Sequence, residues 1–138
     1  MIIDATNSIL GRMCTVAAKK ALLGEKVDIV NSEKAVVTGT REVVLAKFKR
    51  KKDMGAPLKG PHYPKMPDRI VRRAIRGMLP YSRDRGRKAF KRIMCYIGVP
   101  EEFKTQKIEK VAEADVSKSN CISYVSIEEI SKILGAER

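Results

Sequence analysis

Four arginine residues in the middle of the chain lie on one side of a predicted helix. When residues 69–79 are placed at about 100° per residue, Arg69, Arg72, Arg73 and Arg76 share an arc of about 100°. The opposite arc is apolar and contains Ile70, Val71, Ala74, Ile75, Met78 and Leu79. A guanidinium group is planar and permanently charged, and it can bind a phosphate through two donors. The pattern therefore predicts a helix that packs through one side and presents a phosphate-binding surface on the other, with Arg72, Arg73 and Arg76 pointing away from the core.

The alternative interpretation of this face is an ordinary solvated helix surface. Such surfaces usually mix charges of both signs, so that residues four apart form ion pairs. The acid nearest to these arginines in the sequence is Asp68, and four guanidinium groups on one face would repel one another unless a polyanion neutralised them. We therefore favour binding to a nucleic acid over simple solvation.

The positive charge of the chain is confined to its centre. The 138 residues carry a formal net charge of +13. Residues 41–92 contain 18 lysines and arginines against four acids, whereas the remainder is nearly neutral. A generally basic surface would be spread out, so this distribution indicates a contact site for a polyanion. The predicted nucleic-acid-binding residues are Lys49, Arg50, Lys51, Lys52, Lys59, His62, Tyr63, Lys65, Arg69, Arg72, Arg73, Arg76, Arg83, Arg85, Arg87, Lys88, Lys91 and Arg92.

Three of the residues in and around this stretch have more specific interpretations. His62 and Tyr63 could stack on an unpaired base or form hydrogen bonds with it. Local packing of the segment that contains them is the alternative, and the sequence does not choose between the two. Gly86 would allow a tight turn or a close approach of the backbone to a phosphate.

The sequence offers no assembled catalytic or metal site. It contains neither a Gly-x-Gly-x-x-Gly motif after the first strand nor a Walker loop, and His62 is its single histidine. Asp4 and Asp28 are predicted near strands, but neither has an identifiable base, nucleophile or metal partner. We therefore predict that the chain is not an enzyme and has no catalytic residue, no metal and no cofactor.

The three cysteines do not indicate a metal site or a disulfide framework either. Cys14, Cys95 and Cys121 are widely spaced and odd in number. A zinc site usually needs about four ligands, commonly in close pairs, and a disulfide framework needs more cysteines. We expect reduced, mostly buried thiols.

Strands and helices alternate along the chain. The predicted strands cover residues 2–3, 27–30, 35–37, 96–99 and 122–125. The predicted helices cover residues 8–23, 40–47, 68–79 and 87–95, and a last helix through Leu134 begins at the capping box of Ser126 and Glu129. Because Asn-Gly and Asp-Gly hairpin turns are absent, the pattern favours a mainly parallel α/β sheet with helices on both faces.

Two basic segments lie between these elements. Residues 49–52 are four adjacent cations, and we expect this helix end to fray in water. Residues 53–67 contain six glycines and prolines, which predicts an extended loop that takes its shape from a partner.

The length of the chain predicts a single domain over residues 1–138, with residues 104–138 as a C-terminal extension that packs on the core. The first four residues lack the basic and apolar regions of a signal peptide. No segment approaches the roughly 18–20 apolar residues of a membrane span. We therefore expect a cytoplasmic protein that does not contact a membrane.

Ordered motifs run through the first three quarters of the chain. The central ones are Lys59-Gly60-Pro61-His62-Tyr63-Pro64, Met66-Pro67-Asp68-Arg69-Ile70 and Arg72-Arg73-Ala74-Ile75-Arg76-Gly77-Met78-Leu79-Pro80. The opening contains Asp4-Ala5, Leu10-Gly11-Arg12, Val30-Asn31-Ser32-Glu33-Lys34 and Thr38-Gly39. Together with Tyr96-Ile97-Gly98-Val99-Pro100, these motifs closely resemble the large-subunit ribosomal protein thirteen family in its archaeal and eukaryotic branch. Tyr81 stands where many relatives have a histidine or another polar residue.

The resemblance implies a fold and a function. The fold would have three layers, α/β/α, around a short, mainly parallel four-stranded sheet. The protein would be a structural constituent of the large ribosomal subunit that contacts large-subunit ribosomal RNA and neighbouring ribosomal proteins, supports subunit assembly, and is a monomer when free. A free RNA-binding translational regulator and an RNA-processing enzyme are the alternatives.

Overall fold

The structure is a computed structural model that describes residues 1–56, 58–120 and 122–136. The strands in this part of the chain are β1 (Ile2–Asp4), β2 (Val27–Val30), β3 (Val36–Thr38), β4 (Ile93–Cys95), β5 (Ile108–Glu109) and β6 (Tyr124–Ser126). Four of them form one sheet in the order β4-β2-β1-β5, in which all neighbours are parallel. β3 and β6 form a separate antiparallel pair.

Five α-helices accompany the strands in the described ranges. They are α1 (Leu10–Leu22), α2 (Arg41–Asp53), α3 (Pro67–Met78), α4 (Asp84–Lys91) and α5 (Ile127–Ile133). Short 3-10 helices cover Ser32–Lys34, Glu101–Phe103 and Val116–Lys118. The α/β class and the short parallel four-stranded sheet are confirmed, and the elements are those of a three-layer α/β/α fold.

Alternation along β1 and β2 divides the core into two parts. Ile3 and Ile29 are fully buried in the larger part, to which α1, α3, α4 and α5 contribute apolar side chains. Ile2 and Val30 belong to the smaller part, where Phe103 covers them. One face of the sheet therefore packs on long helices, and a 3-10 helix with its flanking residues covers the other.

Two element predictions in the second half of the chain are wrong. α4 ends at Lys91, and residues 93–95 form β4 instead of continuing a helix. Residues 96–99, predicted as a strand, form the turn that follows β4, with Gly98 at a φ of +66°. The spacing of Phe90, Ile93 and Met94 resembles one helical face. In the structure, however, Ile93 is buried and Met94 is exposed, as in a strand.

Pairing of the remaining strands also differs from the prediction. The predicted strand at 35–37 is β3, which pairs with β6 and does not join the parallel sheet. β6 starts at Tyr124, two residues later than the predicted start of the strand at 122–125. The two-residue strand β5, which pairs with β1, was not predicted. Pairings between distant segments are set by the tertiary fold, and local patterns carry little information about them.

The basic residues 49–52 belong to α2 in the structure. The helix continues through them to Asp53, so the predicted end at residue 47 is wrong, and fraying of this end in water stays a prediction. The Lys51 ammonium lies 5.2 Å from the centre of the Phe48 ring and 5.4 Å from that of Tyr63. These cation–π contacts and the burial of Phe48 hold the last turn against the fold.

The loop after α2 is attached to the fold near its end. Tyr63 packs edge-on against Phe48, with ring centres 5.9 Å apart, and the Lys65 carbonyl accepts a 2.7 Å hydrogen bond from Ser131. Leu58, by contrast, is 96% exposed. Pro57 lies outside the described residues. That this loop takes its final shape from a partner stays a prediction.

The C-terminal part of the chain reaches the core through α5. Ile127, Ile130 and Leu134 are buried there. The Ser126 hydroxyl accepts a hydrogen bond from the Glu129 backbone N–H at 3.3 Å, as the capping motif predicts. The extent of the single domain and of its C-terminal extension stays a prediction.

Candidate nucleic-acid interface

α3 has the two-sided character that its sequence predicts. Its buried residues include Ile70, Val71 and Ile75, which pack against α1 and β4. Arg69 and Arg73 are exposed on the other side. α3 begins with Pro67 in its first turn, where the missing N–H leaves no intrahelical bond unmade. Met78 departs from the prediction because it is 43% exposed.

Two of the four arginines are only partly exposed, because they stack on aromatic rings. The Arg72 guanidinium carbon lies 4.6 Å from the centre of the Phe90 ring, and that of Arg76 lies 4.1 Å from the centre of the Tyr81 ring. The two rings contact each other edge-on at 5.5 Å. Phe90, Tyr81 and the two guanidinium groups thus form one cluster, which we call the stacked cluster. The prediction that Arg72 and Arg76 simply point away from the core is therefore wrong.

The charges on this face are not neutralised by the protein itself. Within the described ranges, none of the four α3 arginines forms an ion pair. The Nε of Arg72 and one carboxylate oxygen of Asp68 are buried without a hydrogen-bond partner. Stacking on a ring leaves the edge of a guanidinium free, so its donors remain available to an anion.

A groove of about 570 Å³ lies beside the exposed Arg73. We call it the central groove. Its rim carries Lys47 and Lys51 from α2, His62 from the loop and Arg73 from α3. Its remaining lining is mostly apolar and consists of Leu10, Val37, Phe48, Met54, Pro61, Tyr63, Ala74 and Gly77. The groove therefore combines a cationic rim with an apolar wall.

Burial and neighbouring positive charges shift the pKa of two residues in the groove. Burial lowers the pKa of Lys51 from its ordinary value, and the neighbouring charge of Lys47 lowers it further. Burial raises the pKa of Tyr63, although the charge of Arg73 opposes that change. An anion between Lys47, Lys51 and Arg73 would relieve the repulsion between these cations.

Two further cavities share lining residues with the groove or with each other. His62, Tyr63, Lys65 and Arg69 line one of them. The other is a shallow depression of about 170 Å³ whose lining includes all four α3 arginines and Phe90. Since Arg69 and Arg73 belong to two cavities each, the end of α2, the loop and α3 form one continuous basic surface.

The structure does not place every predicted residue at this surface. Arg87 is exposed, but it forms long hydrogen bonds of 3.4 Å to the carbonyls of Tyr81 and Ser82 and a 3.8 Å ion pair with Asp84. Arg92 donates a 3.3 Å hydrogen bond to the Ala21 carbonyl. Arg50 lines a further cavity with Lys47, Lys51 and Met54 of the groove. Exposed residues outside these cavities are Lys49, Lys52, Lys59, Arg83, Arg85, Lys88 and Lys91. Their binding role stays a prediction.

Comparison with known proteins gives a family for this architecture. Residues 1–102 match the family model described as ribosomal protein L13. The chain belongs to the ribosomal protein L13 family. It is 46% identical over 136 residues to the large ribosomal subunit protein uL13 of Methanopyrus kandleri, covering 97% of this chain and 86% of the relative.

Two further archaeal relatives are similarly close. The protein of the same name from Archaeoglobus fulgidus is 44% identical over 135 residues, covering 97% of this chain and 86% of the relative. That from Thermoplasma volcanium is 45% identical over 134 residues, covering 97% of each. The predicted family is therefore confirmed, and these relatives extend the similarity beyond residue 102 into the C-terminal part.

Membership of the L13 family also answers the question of catalysis. Members of this family are structural components and not enzymes, so the prediction that the chain is not an enzyme is confirmed. In the described part of the chain, no helix is long and apolar enough to cross a membrane. No group of three potential metal ligands occurs there.

Other residues that could have carried chemistry have structural roles in this member of the family. Cys14 and Cys95 are free and buried, and burial raises the pKa of Cys95 to about 12. Cys121 lies outside the described residues. Although burial raises the pKa of Asp4, hydrogen bonds from Asn31 and Thr6 more than offset that effect and lower it overall. Asp28 lies within β2, 3.7 Å from the Lys26 ammonium.

The prediction missed two kinds of site residue, namely Lys47 and the aromatic pair Phe90 and Tyr81, and it named Gly86 for a tight turn or a close approach of the backbone to a phosphate. Lys47 belongs to the rim of the central groove, and its spacing of four from Lys51 was the available signal. Phe90 and Tyr81 support arginines, which the sequence pattern does not reveal because their contacts join different elements. Gly86 approaches the Pro80 carbonyl, since a Cβ there would lie 2.1 Å from that oxygen. The Gly86 backbone therefore closely approaches another backbone segment of the same chain.

Proposed function

We propose that this chain is a structural constituent of the large ribosomal subunit that binds large-subunit ribosomal RNA through the surface formed by α2, the loop and α3. The proposal includes contacts with neighbouring ribosomal proteins, a supporting role in subunit assembly, a monomeric free state and a cytoplasmic location. The observation that carries it is the face of α3, where four guanidinium groups lie without an acidic partner in the described chain.

The proposed mechanism is docking of RNA phosphates on a largely preformed surface. Arg72 and Arg76 are already held by Phe90 and Tyr81, so they lose less conformational freedom when they bind. Arg69 and Arg73 are free to adjust to the spacing of the phosphates. The wide, shallow minor groove of RNA suits recognition by shape and phosphate position. Such a surface would select a folded RNA through the arrangement of its backbone.

Exposed lysines beside the α3 arginines extend this surface. Lys59 lies in the loop next to the fully projecting Leu58, and Lys49 and Lys52 lie on the exposed side of the end of α2. Ordering a flexible segment costs about 1–2 kcal/mol per residue in backbone entropy. Phosphate contacts from these lysines would offset that cost, so the loop would close on RNA that the rigid part has already bound.

Salt dependence tests the electrostatic part of the proposal. If six to ten phosphates are neutralised, a plot of log affinity against log salt should have a slope of about −4 to −9. Filter binding of the full-length large-subunit ribosomal RNA transcript across a salt series measures it. An affinity that hardly changes with salt would contradict this mechanism.

A free translational regulator would show the same salt dependence, so a second measurement is needed. Sucrose-gradient sedimentation of cell extract should find the protein in the large-subunit and ribosome fractions. Recovery mainly at the top of the gradient, with free proteins, would favour the regulator instead.

A further inference from the structure

Gly77 in α3 has no evident role within the described chain. It lies in the last turn of the helix and lines the central groove. Glycine in a helix is less stable than alanine, because it loses more backbone freedom on folding. A Cβ added at Gly77 would meet no atom within 4 Å, and the backbone is helical. The fold itself would therefore accept a side chain at position 77. Because glycine has none, space stays open above α3.

The composition of the groove indicates what this space could receive. Phosphate binding explains Lys47, Lys51 and Arg73, but it gives no reason for the apolar wall formed by residues such as Phe48 and Ala74. Met54 is 52% exposed beside these cations. A nucleotide combines an anionic phosphate with a flat base that packs on apolar and aromatic side chains. The groove volume of about 570 Å³ lies within the range of about 300–1,000 Å³ found for small-ligand sites.

We propose that the central groove holds one unpaired nucleotide of the bound RNA. Its base lies against the apolar wall above Gly77, and its phosphate lies between Lys47, Lys51 and Arg73. His62, exposed at the rim, offers its ring nitrogens to the edge of the base. Among the residues that the structure describes, none of those lining the groove is acidic, so the charge of this lining complements a nucleotide. This inference rests on the proposed function and adds the form of RNA that is recognised.

Filling the groove without changing its charge tests the inference. Gly77→Leu should weaken binding of the large-subunit ribosomal RNA transcript about tenfold, as expected for the loss of one stacked base. The slope of log affinity against log salt should become shallower by no more than about one, which corresponds to the single phosphate contact of this nucleotide. Gly11→Leu is the matched control. Gly11 is also an exposed helical glycine with open space around it, but it does not line the groove, so this variant should bind like the wild type.

Chemical probing of the complex identifies the nucleotide. Dimethyl sulfate and a carbodiimide together report on unpaired bases of all four types. The wild-type protein should protect at least one unpaired base that Gly77→Leu leaves reactive, while protection elsewhere is unchanged. Wild-type affinity of Gly77→Leu, an equal loss in Gly11→Leu, or a salt slope shallower by clearly more than about one would each overturn the inference. Failure of the wild-type chain to bind the transcript would instead overturn the proposed function on which it rests.

Discussion

The four arginines of α3 share one face, but they do not share one environment. Arg69 and Arg73 project into solvent, whereas Arg72 and Arg76 lie flat on the rings of Phe90 and Tyr81. Substituting an exposed arginine removes a charge and little packing. Substituting a stacked one also removes support from its ring, so its effects on binding and on stability are mixed.

The exposed pair gives the cleaner test of binding. Arg69→Glu combined with Arg73→Glu should lower RNA affinity at least about 100-fold, because two charged hydrogen bonds of about 1.5–3 kcal/mol each are lost. The salt slope should become shallower by about one for each phosphate contact that is lost. Lys19→Glu with Lys118→Glu, which makes the same charge change on exposed residues outside the basic stretch, is the control. Equal losses in the two double variants would mean that only net charge matters, and the proposed surface would be wrong.

The stacked cluster makes a different prediction. Tyr81→Ala should lower the free energy of unfolding by about 1–2 kcal/mol, since it removes a cation–π contact and an aromatic pair. RNA affinity should fall several-fold because Arg76 is no longer held in position. Tyr81→Phe keeps the ring and should retain both properties. Denaturant titration and filter binding measure the two effects, and a Tyr81→Ala variant with unchanged RNA affinity would show that the stack does not orient Arg76 for binding.

At the scale of elements, the stability of the α3–α4 region depends on how closely its backbones approach. Gly86, in the first turn of α4, is buried against the Pro80 carbonyl. The neighbouring helix α3 has its own glycine at position 77, where space is open. Two glycines nine residues apart therefore have opposite structural requirements.

Alanine substitution should separate these two positions. Gly86→Ala should lower the free energy of unfolding by about 2 kcal/mol or more, because a Cβ cannot fit against backbone without a shift of α4. Gly77→Ala should raise it by about 0.5–1 kcal/mol through helix propensity. Thermal and chemical denaturation measure both changes. A Gly86→Ala variant as stable as the wild type would show that the close approach of α4 to Pro80 is not required.

At the scale of the whole molecule, a packed α/β core carries the basic surface. The parts of this surface differ in how firmly the core holds them. α3 is packed on the core, the end of α2 is held by Phe48, and the loop is tied near Tyr63 and Lys65. Between these anchors, the chain around Leu58 and Lys59 is exposed. The surface is thus rigid where the arginines lie and least supported at the loop tip.

Limited proteolysis should detect this difference. Trypsin should cut the free protein first after Lys59, because that bond lies in the least supported part of the basic surface. Saturating large-subunit ribosomal RNA transcript should slow that cut more than cleavage after Lys104 or Lys107, which lie outside the basic stretch and serve as internal controls. Early cleavage elsewhere, or equal protection at all sites, would argue against a loop that closes on RNA.

The sequence by itself determined the features that depend on local periodicity and composition. The two faces of α3, the first two strands, the cap at Ser126 and the concentration of positive charge are readable because each depends on neighbours in the chain. The motifs around Gly77 and Tyr63 also sufficed to identify the family. No contact between distant segments was needed for any of these predictions.

Tertiary structure alone decided which elements meet. It made residues 93–95 a strand beside β2, paired β3 with β6, and placed Phe90 and Tyr81 beneath two arginines. It also joined Lys47, Tyr63 and the helix floor at Gly77 into one groove. These outcomes depend on packing between residues far apart in sequence, where the burial of the whole core outweighs the preference of any short segment.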